Sequence, residues 1–404
     1  MLTTSLRKPW KIPFIPLLAC GILFTSRKVN GKGHEVELVQ DNNNRRCVVL
    51  FSSNERSGLR SSMSVAIAKR IREMDPDIEL ILFLTHDLEV NIHGENISVY
   101  RIPHKNDFSD MTSRVWNDII EKSLKSCMAI HKPSIFLFDG RFPFKGVIRA
   151  MEGRDGMYRI WLVNSSMKNS LNKKMDSQLS KFNILIQQKL HEDDRIMDLK
   201  CDADIIQCDP IFNSNSSNYP IKSKMQSALG LNKDNINIYV NIKKGKIDDE
   251  SSLINSCLKV LDSLDGIYVY INRKSLKGLD YCDGKREILN STLEEGEMRA
   301  FDFVISTAEK HNLKELVRFS IPTLCFPTDD DEFDRTKILA RHGLMIVLDK
   351  PHERQIHASI ERLLSDSVRS GMTRSGTAIV RPNGAHQVAR WIVDNSPTEI
   401  NETE

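Results

Sequence analysis

The residues that could do chemistry stand at the ends of short apolar runs, which predict buried strands. Ser306 ends one run, and Glu315 follows it on a segment whose apolar residues have helical spacing. Another run ends at Asp139, whose carboxylate could take a proton from a hydroxyl or simply cap its loop. A third run is followed by Lys243 and Lys244, which suit a phosphate or a solvated turn. These residue types point to anion binding combined with proton transfer.

A strand–helix–strand unit must position Ser306 and Glu315 relative to each other. The sequence predicts a strand over 301–306, a polar loop, an amphipathic helix that ends at Phe319, and a strand over 321–327. Ligands collect at the carboxyl ends of parallel strands, where helix N-termini offer free N–H groups. We therefore expect an anion at the loop from Ser306 to Asn312. The polar residues of this loop beyond Ser306 are Thr307, His311 and Asn312.

The first half of the chain predicts a parallel sheet of its own. A buried-strand run over 46–51 is followed by an amphipathic helix over 61–74 and a strand over 78–84. This order predicts right-handed crossovers between parallel strands. Further strands are predicted over 97–102, 134–139, 158–163, 184–188 and 203–208, with helices over 111–130 and 144–151.

The unit around Ser306 resembles the donor-site signature of GT-B glycosyltransferases, above all the branch of the peptidoglycan lipid N-acetylglucosaminyltransferase and predicted bacterial sugar transferases. In that branch a strand ends in Ser, a Gly-Gly-aromatic-Asn-Thr loop follows, and a Glu binds the ribose of the nucleotide sugar. Ser306 and Glu315 match in type and spacing. Ala308 and Glu309 replace the glycines, which adds bulk and negative charge where backbone would approach a diphosphate. The resemblance therefore supports the fold more strongly than the activity.

Further segments are similar to the same family. Glu332 precedes a predicted helix that ends at Gly343, and residues 383–392 are similar to the closing helix of these enzymes. The family's first loop reads Gly-x-Gly-His, and the corresponding run keeps Gly58 and places Arg60 near the His position. Arginine stays protonated, so it could bind a phosphate but cannot act as a general base. Asp139, at a strand end shortly before Phe142-Pro143-Phe144, is the remaining candidate base.

The resemblance implies an α/β fold of GT-B architecture, in which two Rossmann-like domains face one another across a cleft. A chain of 404 residues is long enough for two cores. Turn-forming residues over 209–220 predict a linker. The predicted organisation is an apolar N-terminal extension over 1–44, an acceptor domain over 45–208, a linker over 209–221, a nucleotide-sugar domain over 222–395 and an acidic tail over 396–404.

The function implied by this resemblance is sugar transfer from a nucleotide-diphosphate donor, UDP-linked, to a lipid or glycan acceptor. The transfer would be inverting and metal-independent, with no cofactor. Expected partners are the donor, the acceptor and a peripheral membrane surface. Three alternatives stay open: a GT-B-like binding or regulatory protein without catalysis, an exported two-domain solute-binding lipoprotein, and a nucleotide-sugar epimerase. Loss of the glycine pair favours the first alternative, and the run from Leu17 to Cys20 motivates the second.

Composition narrows the class of protein. The net charge of +3 arises from 57 basic and 54 acidic residues, so no global field favours nucleic acid. Eight cysteines show neither a Cys-x-x-Cys motif nor a paired His spacing, so the sequence gives no support for zinc. Cys47 and Cys325 fall inside predicted buried strands, where a reduced thiol packs as a small hydrophobe. This usage favours a cytoplasmic protein.

The N-terminal segment contains an apolar run that is not typical of a soluble protein. Basic residues flank the apolar run over 12–24, which is shorter than the roughly 20 residues that span a membrane. Pro13 and Pro16 interrupt it. Three interpretations stay open: a signal or lipid anchor, an interfacial segment that holds the protein at a membrane, and an extension without function.

Overall fold

The chain folds around two parallel sheets. The structure, a computed structural model, describes residues 46–53, 63–85, 96–102, 104–154, 156–163, 177–189, 202–213, 218–242, 250–272, 286–289, 293–294 and 296–397. The first sheet has seven strands in the order β3-β2-β1-β4-β5-β6-β7. These strands are β1 (Cys47–Ser52), β2 (Glu79–Leu84), β3 (Ser98–Arg101), β4 (Ile135–Asp139), β5 (Tyr158–Val163), β6 (Ile184–Gln188) and β7 (Asp204–Cys208).

Helices cover both faces of this sheet, which explains why its strands read as continuous apolar runs. Helices Ser113–His131 and Lys145–Met151 pack on one face, against side chains such as Val49. Helices Met63–Met74 and Gly384–Asn395 pack on the other face, against side chains such as Val48. The closing helix thus returns to the first sheet, as predicted. We call the first sheet with these four helices the first lobe.

The second sheet has six strands in the order β10-β9-β8-β11-β12-β13. We call this sheet and its helices the second lobe. Its strands are β8 (Ile236–Asn241), β9 (Ile267–Asn272), β10 (Arg286–Leu289), β11 (Phe303–Thr307), β12 (Thr323–Phe326) and β13 (Met345–Val347). Its helices are Lys222–Ala228, Glu250–Asp262, Lys310–Arg318, Asp330–Arg341, Glu353–Leu364 and Asp366–Ile379.

Both sheets reverse their strand order at one point. In the first lobe the reversal lies between β1 and β4, which pair in parallel. In the second lobe it lies between β8 and β11, which pair in the same way. The crossover helices on the two sides of such a point leave the sheet in opposite directions, which opens a crevice at the carboxyl ends of the strands. The two reversal points are therefore where ligands are expected.

The chain segments that cross between the lobes are bonded to each other. Asp209 and Gln387 exchange two hydrogen bonds of 2.8 Å, from the Asp209 N–H to Gln387 Oε1 and from Gln387 Nε2 to Asp209 Oδ2. Phe212 and Asn383 exchange two more, of 3.0 and 2.8 Å. The N–H of Gly384 donates to a linker carbonyl at 2.9 Å. We call this set of contacts the linker clasp.

The structure corrects one local prediction and leaves others outside the described residues. The helix of the strand–helix–strand unit begins at Lys310, so His311 and Asn312 lie in its first turn and not in a loop. The N-terminal segment over 1–44 and the tail beyond residue 397 lie outside the described residues. Among the helices that are described, none is long and apolar enough to cross a membrane.

Candidate functional site

Asp139 lies at the reversal point of the first lobe, at the carboxyl end of β4. Its side chain is only 7% exposed. One carboxylate oxygen, Oδ2, accepts hydrogen bonds from the backbone N–H of Ser64 at 3.0 Å and from the Ser64 hydroxyl at 3.2 Å. Since Ser64 is in the first turn of helix Met63–Met74, Asp139 fixes the start of that helix. A capping role is thus present in the structure, beside any role in catalysis.

Ser306 lies at the reversal point of the second lobe, near the end of β11. The residue is buried, and its hydroxyl lies 2.9 Å from the carbonyl oxygen of Thr307 and 3.2 Å from that of Asn241 on the neighbouring strand. The amide of Asn312, also buried, lies 3.5 Å from the same hydroxyl. These contacts tie the strand end to the first turn of helix Lys310–Arg318. The structure therefore brings Ser306, Thr307 and Asn312 together, and their predicted donor-binding role stays a prediction.

Glu315 lies on the same helix and holds a neighbouring loop. Its Oε1 accepts a hydrogen bond of 2.6 Å from the backbone N–H of Gly296. Gly296 has a φ of +89°, and a Cβ there would lie 2.3 Å from the ring of Tyr219, so only glycine fits. Burial raises the pKa of Tyr239 to about 12, and the Glu315 carboxylate also raises it. Glu315 is thus close enough to Tyr239 to influence it, and one of its oxygens is already bonded to backbone.

Glu332 has a local role at the start of helix Asp330–Arg341. Its Oε2 accepts hydrogen bonds from the backbone N–H of Thr328 at 2.8 Å and from the Thr328 hydroxyl at 2.7 Å. Asp329 caps the same helix by accepting from the Glu332 N–H at 2.8 Å. Reciprocal capping of this kind satisfies N–H groups that the helix itself leaves unpaired. The predicted donor-binding role of Glu332 stays a prediction.

Four predicted site residues lie outside the described parts of the chain. They are Gly58, Arg60, Lys243 and Lys244. For His311 the backbone is described and the side chain is not. Among the residues that are described, no group of His, Cys, Asp and Glu side chains is arranged to hold a metal ion.

Lys314 is the residue that sequence reasoning missed. It belongs to the second lobe, and its Nζ donates a 2.5 Å hydrogen bond to Oε1 of Gln188, at the carboxyl end of β6 in the first lobe. Gln188 Oε1 also accepts from the backbone N–H of Ile211, so it is held in place. Burial lowers the pKa of Lys314 to about 8, and this lowering is opposed by Cys208 and by the Asp139 carboxylate. The ammonium group therefore stands in the crevice between the lobes, within electrostatic reach of the candidate base.

A sequence signal for Lys314 exists, although it is weak. The residue lies directly before Glu315 on an amphipathic helix of the matched unit. Its partner Gln188 ends a run that predicts a buried strand, at the edge of the sheet where ligands are expected. Nothing in the sequence indicates that Lys314 and Gln188 contact each other.

The lowered pKa of Lys314 should make the free energy of unfolding depend on pH in the alkaline range. Its pKa in the folded chain, about 8, lies below its ordinary value of 10.5. Between these values the unfolded chain keeps a proton that the native protein has released, so the free energy of unfolding should rise with pH across this window. We expect the wild type to gain stability relative to Lys314→Met between about pH 8 and about pH 10.5.

Urea denaturation at several pH values measures this difference. Taking the difference between wild type and variant cancels the titration of tyrosines and cysteines in the same range. Lys122→Met, at an exposed position on helix Ser113–His131, serves as the matched control and should show no such trend. A difference between wild type and Lys314→Met that stays constant with pH would mean that Lys314 is not desolvated.

Comparisons with known proteins support the fold and go no further. No family model matches the sequence, and a sequence search among curated proteins finds no relative. MurG of Acinetobacter baumannii matches with a TM-score of 0.53 and 12% identity, over 86% of this chain and 99% of that one. A glycosyltransferase from Rickettsia africae matches with 0.58 and 11%, over 87% and 100%. Medicago truncatula UGT71G1, solved with UDP-glucose, matches with 0.57 and 11%, over 88% and 99%. The chain therefore has the GT-B fold, as predicted, and identities this low carry no activity with them.

Proposed function

We propose that this protein transfers a glycosyl group from a nucleoside-diphosphate sugar, UDP-linked, to the hydroxyl of an acceptor. The observation that carries the proposal is the hydrogen bond from Lys314 to Gln188, which brings a cation of the second lobe to the strand ends of the first lobe, where Asp139 lies. Asp139 and Lys314 belong to different lobes, and each lies beside the reversal point where an α/β sheet binds ligands. A carboxylate on one side and a cation on the other suit an acceptor that loses a proton and a donor that releases a diphosphate.

The proposed reaction is a single displacement with inversion. The acceptor oxygen attacks the anomeric carbon while its proton passes to the Asp139 carboxylate. The bond from that carbon to the diphosphate breaks, and its electron pair leaves with the diphosphate. The Lys314 ammonium and the N–H groups at the start of helix Lys310–Arg318 would stabilise the charge that develops there. No step in this scheme requires a metal ion or cofactor.

Donor recognition is assigned to the region around β11. Ser306 and Thr307 are at the strand end, and the backbone of His311 and Asn312 forms part of the first helical turn. We assign the ribose to Glu315, one turn further along the same helix. The acceptor would approach from the first lobe, and a lipid or glycan acceptor and a peripheral membrane contact belong to the same proposal.

A second candidate function is nucleotide-dependent binding without turnover. Two observations favour it. Glu309 occupies the N-cap position of the helix that would face the diphosphate, without a capping hydrogen bond from its side chain, and a carboxylate there repels an anion. Glu315 already bonds the backbone of Gly296, so ribose would have to share or replace that contact. Binding of a nucleotide is common to both candidates, and only catalysis separates them.

Titration calorimetry of the full chain with UDP tests donor binding. Glu315→Gln keeps the side-chain volume and weakens an acceptor of two ribose hydroxyls, so it should cost about 1.5 to 3 kcal/mol of UDP affinity. The Gly296 N–H can still donate to the new amide oxygen, so stability should change little. Glu361→Gln, on the exposed face of helix Glu353–Leu364, is the control and should leave affinity unchanged.

The outcomes separate the parts of the proposal. Both candidate functions are overturned if the wild type binds neither UDP nor TDP nor the corresponding nucleotide sugars. Binding with unchanged affinity in Glu315→Gln would leave the donor class in place and remove Glu315 from the site.

A further inference from the structure

The side-chain amide of Gln188 lies where three parts of the chain meet. The residue ends β6 and is only 5% exposed. Its Oε1 accepts hydrogen bonds from Lys314 Nζ at 2.5 Å and from the backbone N–H of Ile211 at 3.1 Å. Its Nε2 donates to the thioether sulfur of Met63, 2.8 Å away. A buried amide that is bonded through both its oxygen and its nitrogen is held in one orientation.

The partners of this amide belong to different elements. Met63 is the first residue of the helix whose start is bonded to the Asp139 carboxylate. Ile211 lies in the segment predicted as the linker, and Lys314 belongs to the second lobe. One side chain of the first lobe therefore connects the helix beside the candidate base, the chain that leaves the first lobe and the cation that faces the donor.

The chemistry of the partners explains how the amide is turned. Lys314 Nζ and the Ile211 N–H can only donate, so the atom that faces both of them must be the oxygen. The amide nitrogen is then turned toward sulfur, which is a weak acceptor. An ammonium group has three N–H donors, and the bond to Gln188 uses one of them. The direction of that one bond fixes where the charge of Lys314 lies.

The neutrality of the amide preserves the charge on Lys314. A carboxylate in its place would form an ion pair with the ammonium and cancel much of the field that reaches a bound diphosphate. An amide oxygen directs the same N–H and leaves the charge in place. The titratable groups that act on Lys314 are Cys208, at the end of β7, and Asp139, at the end of β4. Both belong to the first lobe, as Gln188 does.

We propose that Gln188 is a positioning residue for glycosyl transfer, which holds the Lys314 ammonium toward the leaving diphosphate without neutralising it. The proposal rests on the proposed function, because it takes Lys314 as the cation that stabilises the diphosphate. Gln188 acts through Lys314 and needs no contact with donor or acceptor. Since the two residues lie on different lobes, the cation is held only while the lobes keep this arrangement. The first lobe thereby contributes to the donor site of the second.

Calorimetry of the full chain with UDP tests this role, since UDP carries the diphosphate that leaves in the proposed reaction. Gln188→Met keeps a side chain of similar length and offers Lys314 no oxygen. UDP binding near neutral pH should weaken about tenfold, because the charged group loses the partner that orients it. In a chain that already carries Lys314→Met, the same change should leave UDP affinity unaltered, because no ammonium remains to be positioned.

Gln188→Glu gives a signature that a merely structural residue would not. Its carboxylate can still accept from Lys314 and Ile211, but it raises the pKa of Lys314 and neutralises its charge. UDP affinity near neutral pH should therefore be lower than in the wild type. In the wild type, affinity should fall as the pH rises through about 8, where the ammonium loses its proton. In Gln188→Glu this fall should begin at a higher pH.

Gln355→Glu is the matched control for the added carboxylate. Gln355 is exposed at the start of helix Glu353–Leu364, and a carboxylate there can still accept from the N–H of His352. The control should follow the wild type at every pH. Urea denaturation of each variant shows whether a loss of binding comes from unfolding. Gln188→Glu keeps both hydrogen bonds to its oxygen, so it tests the proposal even if Gln188→Met does not fold.

The proposal is overturned if Gln188→Met binds UDP as tightly as the wild type, or weakens binding equally with and without Lys314. It is also overturned if the pH dependence of Gln188→Glu matches that of the wild type. Failure of the proposed function gives a different result. A wild type that binds no UDP has no donor site, and the positioning role falls with it. A wild type that binds UDP with an affinity independent of Gln188 keeps the donor site and loses only the positioning role.

Discussion

Asp139→Asn should lower the rate of glycosyl transfer about 100- to 10,000-fold, the usual contribution of a positioned general base. An asparagine cannot take the proton of the acceptor, so the oxygen that attacks the anomeric carbon stays protonated. The amide oxygen of asparagine can still accept from the N–H and hydroxyl of Ser64, which keeps helix Met63–Met74 capped. The measurement is nucleoside-diphosphate release from the donor that binds the wild type, with and without acceptor.

The control for this prediction isolates the capping role. Ser64→Ala removes the hydroxyl partner of Asp139 Oδ2 and leaves the carboxylate. If Asp139 acts only as a cap, Ser64→Ala and Asp139→Asn should lower activity to a similar and small extent, and both should act through stability. A large loss confined to Asp139→Asn, with unfolding and UDP affinity preserved, supports the base. Equal activity of Asp139→Asn and wild type would remove Asp139 from the mechanism.

Gly384→Ala should destabilise the protein by about 3 kcal/mol, at the upper end of the usual cost of overpacking. A Cβ at this position would lie 1.9 Å from the carbonyl oxygen of Asp209 and 2.7 Å from its carbonyl carbon. Both atoms are backbone, so no side-chain rotation can make room. The N–H of Gly384 also donates to the linker, so a shift that relieves the clash weakens that hydrogen bond as well.

Gly371→Ala is the matched control, since nothing lies within 4 Å of a Cβ there. Gly371 is inside helix Asp366–Ile379, where alanine is preferred over glycine by up to about 1 kcal/mol. Urea denaturation should therefore show a loss of stability for Gly384→Ala and no loss for Gly371→Ala. If Gly384→Ala unfolds at the wild-type urea concentration, the linker clasp is not formed as described.

The sequence predicted the layers of the fold well, because a strand buried on both faces is apolar at every position. For this reason the predicted strands over 46–51 and 301–306 overlap β1 and β11. β9 was not predicted, although Ile267, Val269 and Ile271 alternate along it as in a sheet strand. Helix Glu353–Leu364 was also not predicted, since it follows no motif of the resembling family.

The site was less predictable than the fold, and the reason is geometric. Ser306 and Glu315 could be predicted as candidates because both belong to one strand–helix–strand unit that is recognisable in the sequence. The pairing of Lys314 with Gln188 joins residues far apart in the chain and depends on how the lobes face each other, which local periodicity does not encode.

The closing helix has a consequence for the order in which the protein folds during synthesis. Helix Gly384–Asn395 fills one face of the first lobe, where Val388 and Ile392 are buried against helix Met63–Met74. The ribosome makes the sheet of that lobe first and this helix only after the strands and helices of the second lobe. Nascent chains therefore carry an uncovered apolar face while the whole second lobe is made, a state that favours aggregation. A chain that ends prematurely before residue 384 would keep its second sheet and leave the first lobe without part of its core.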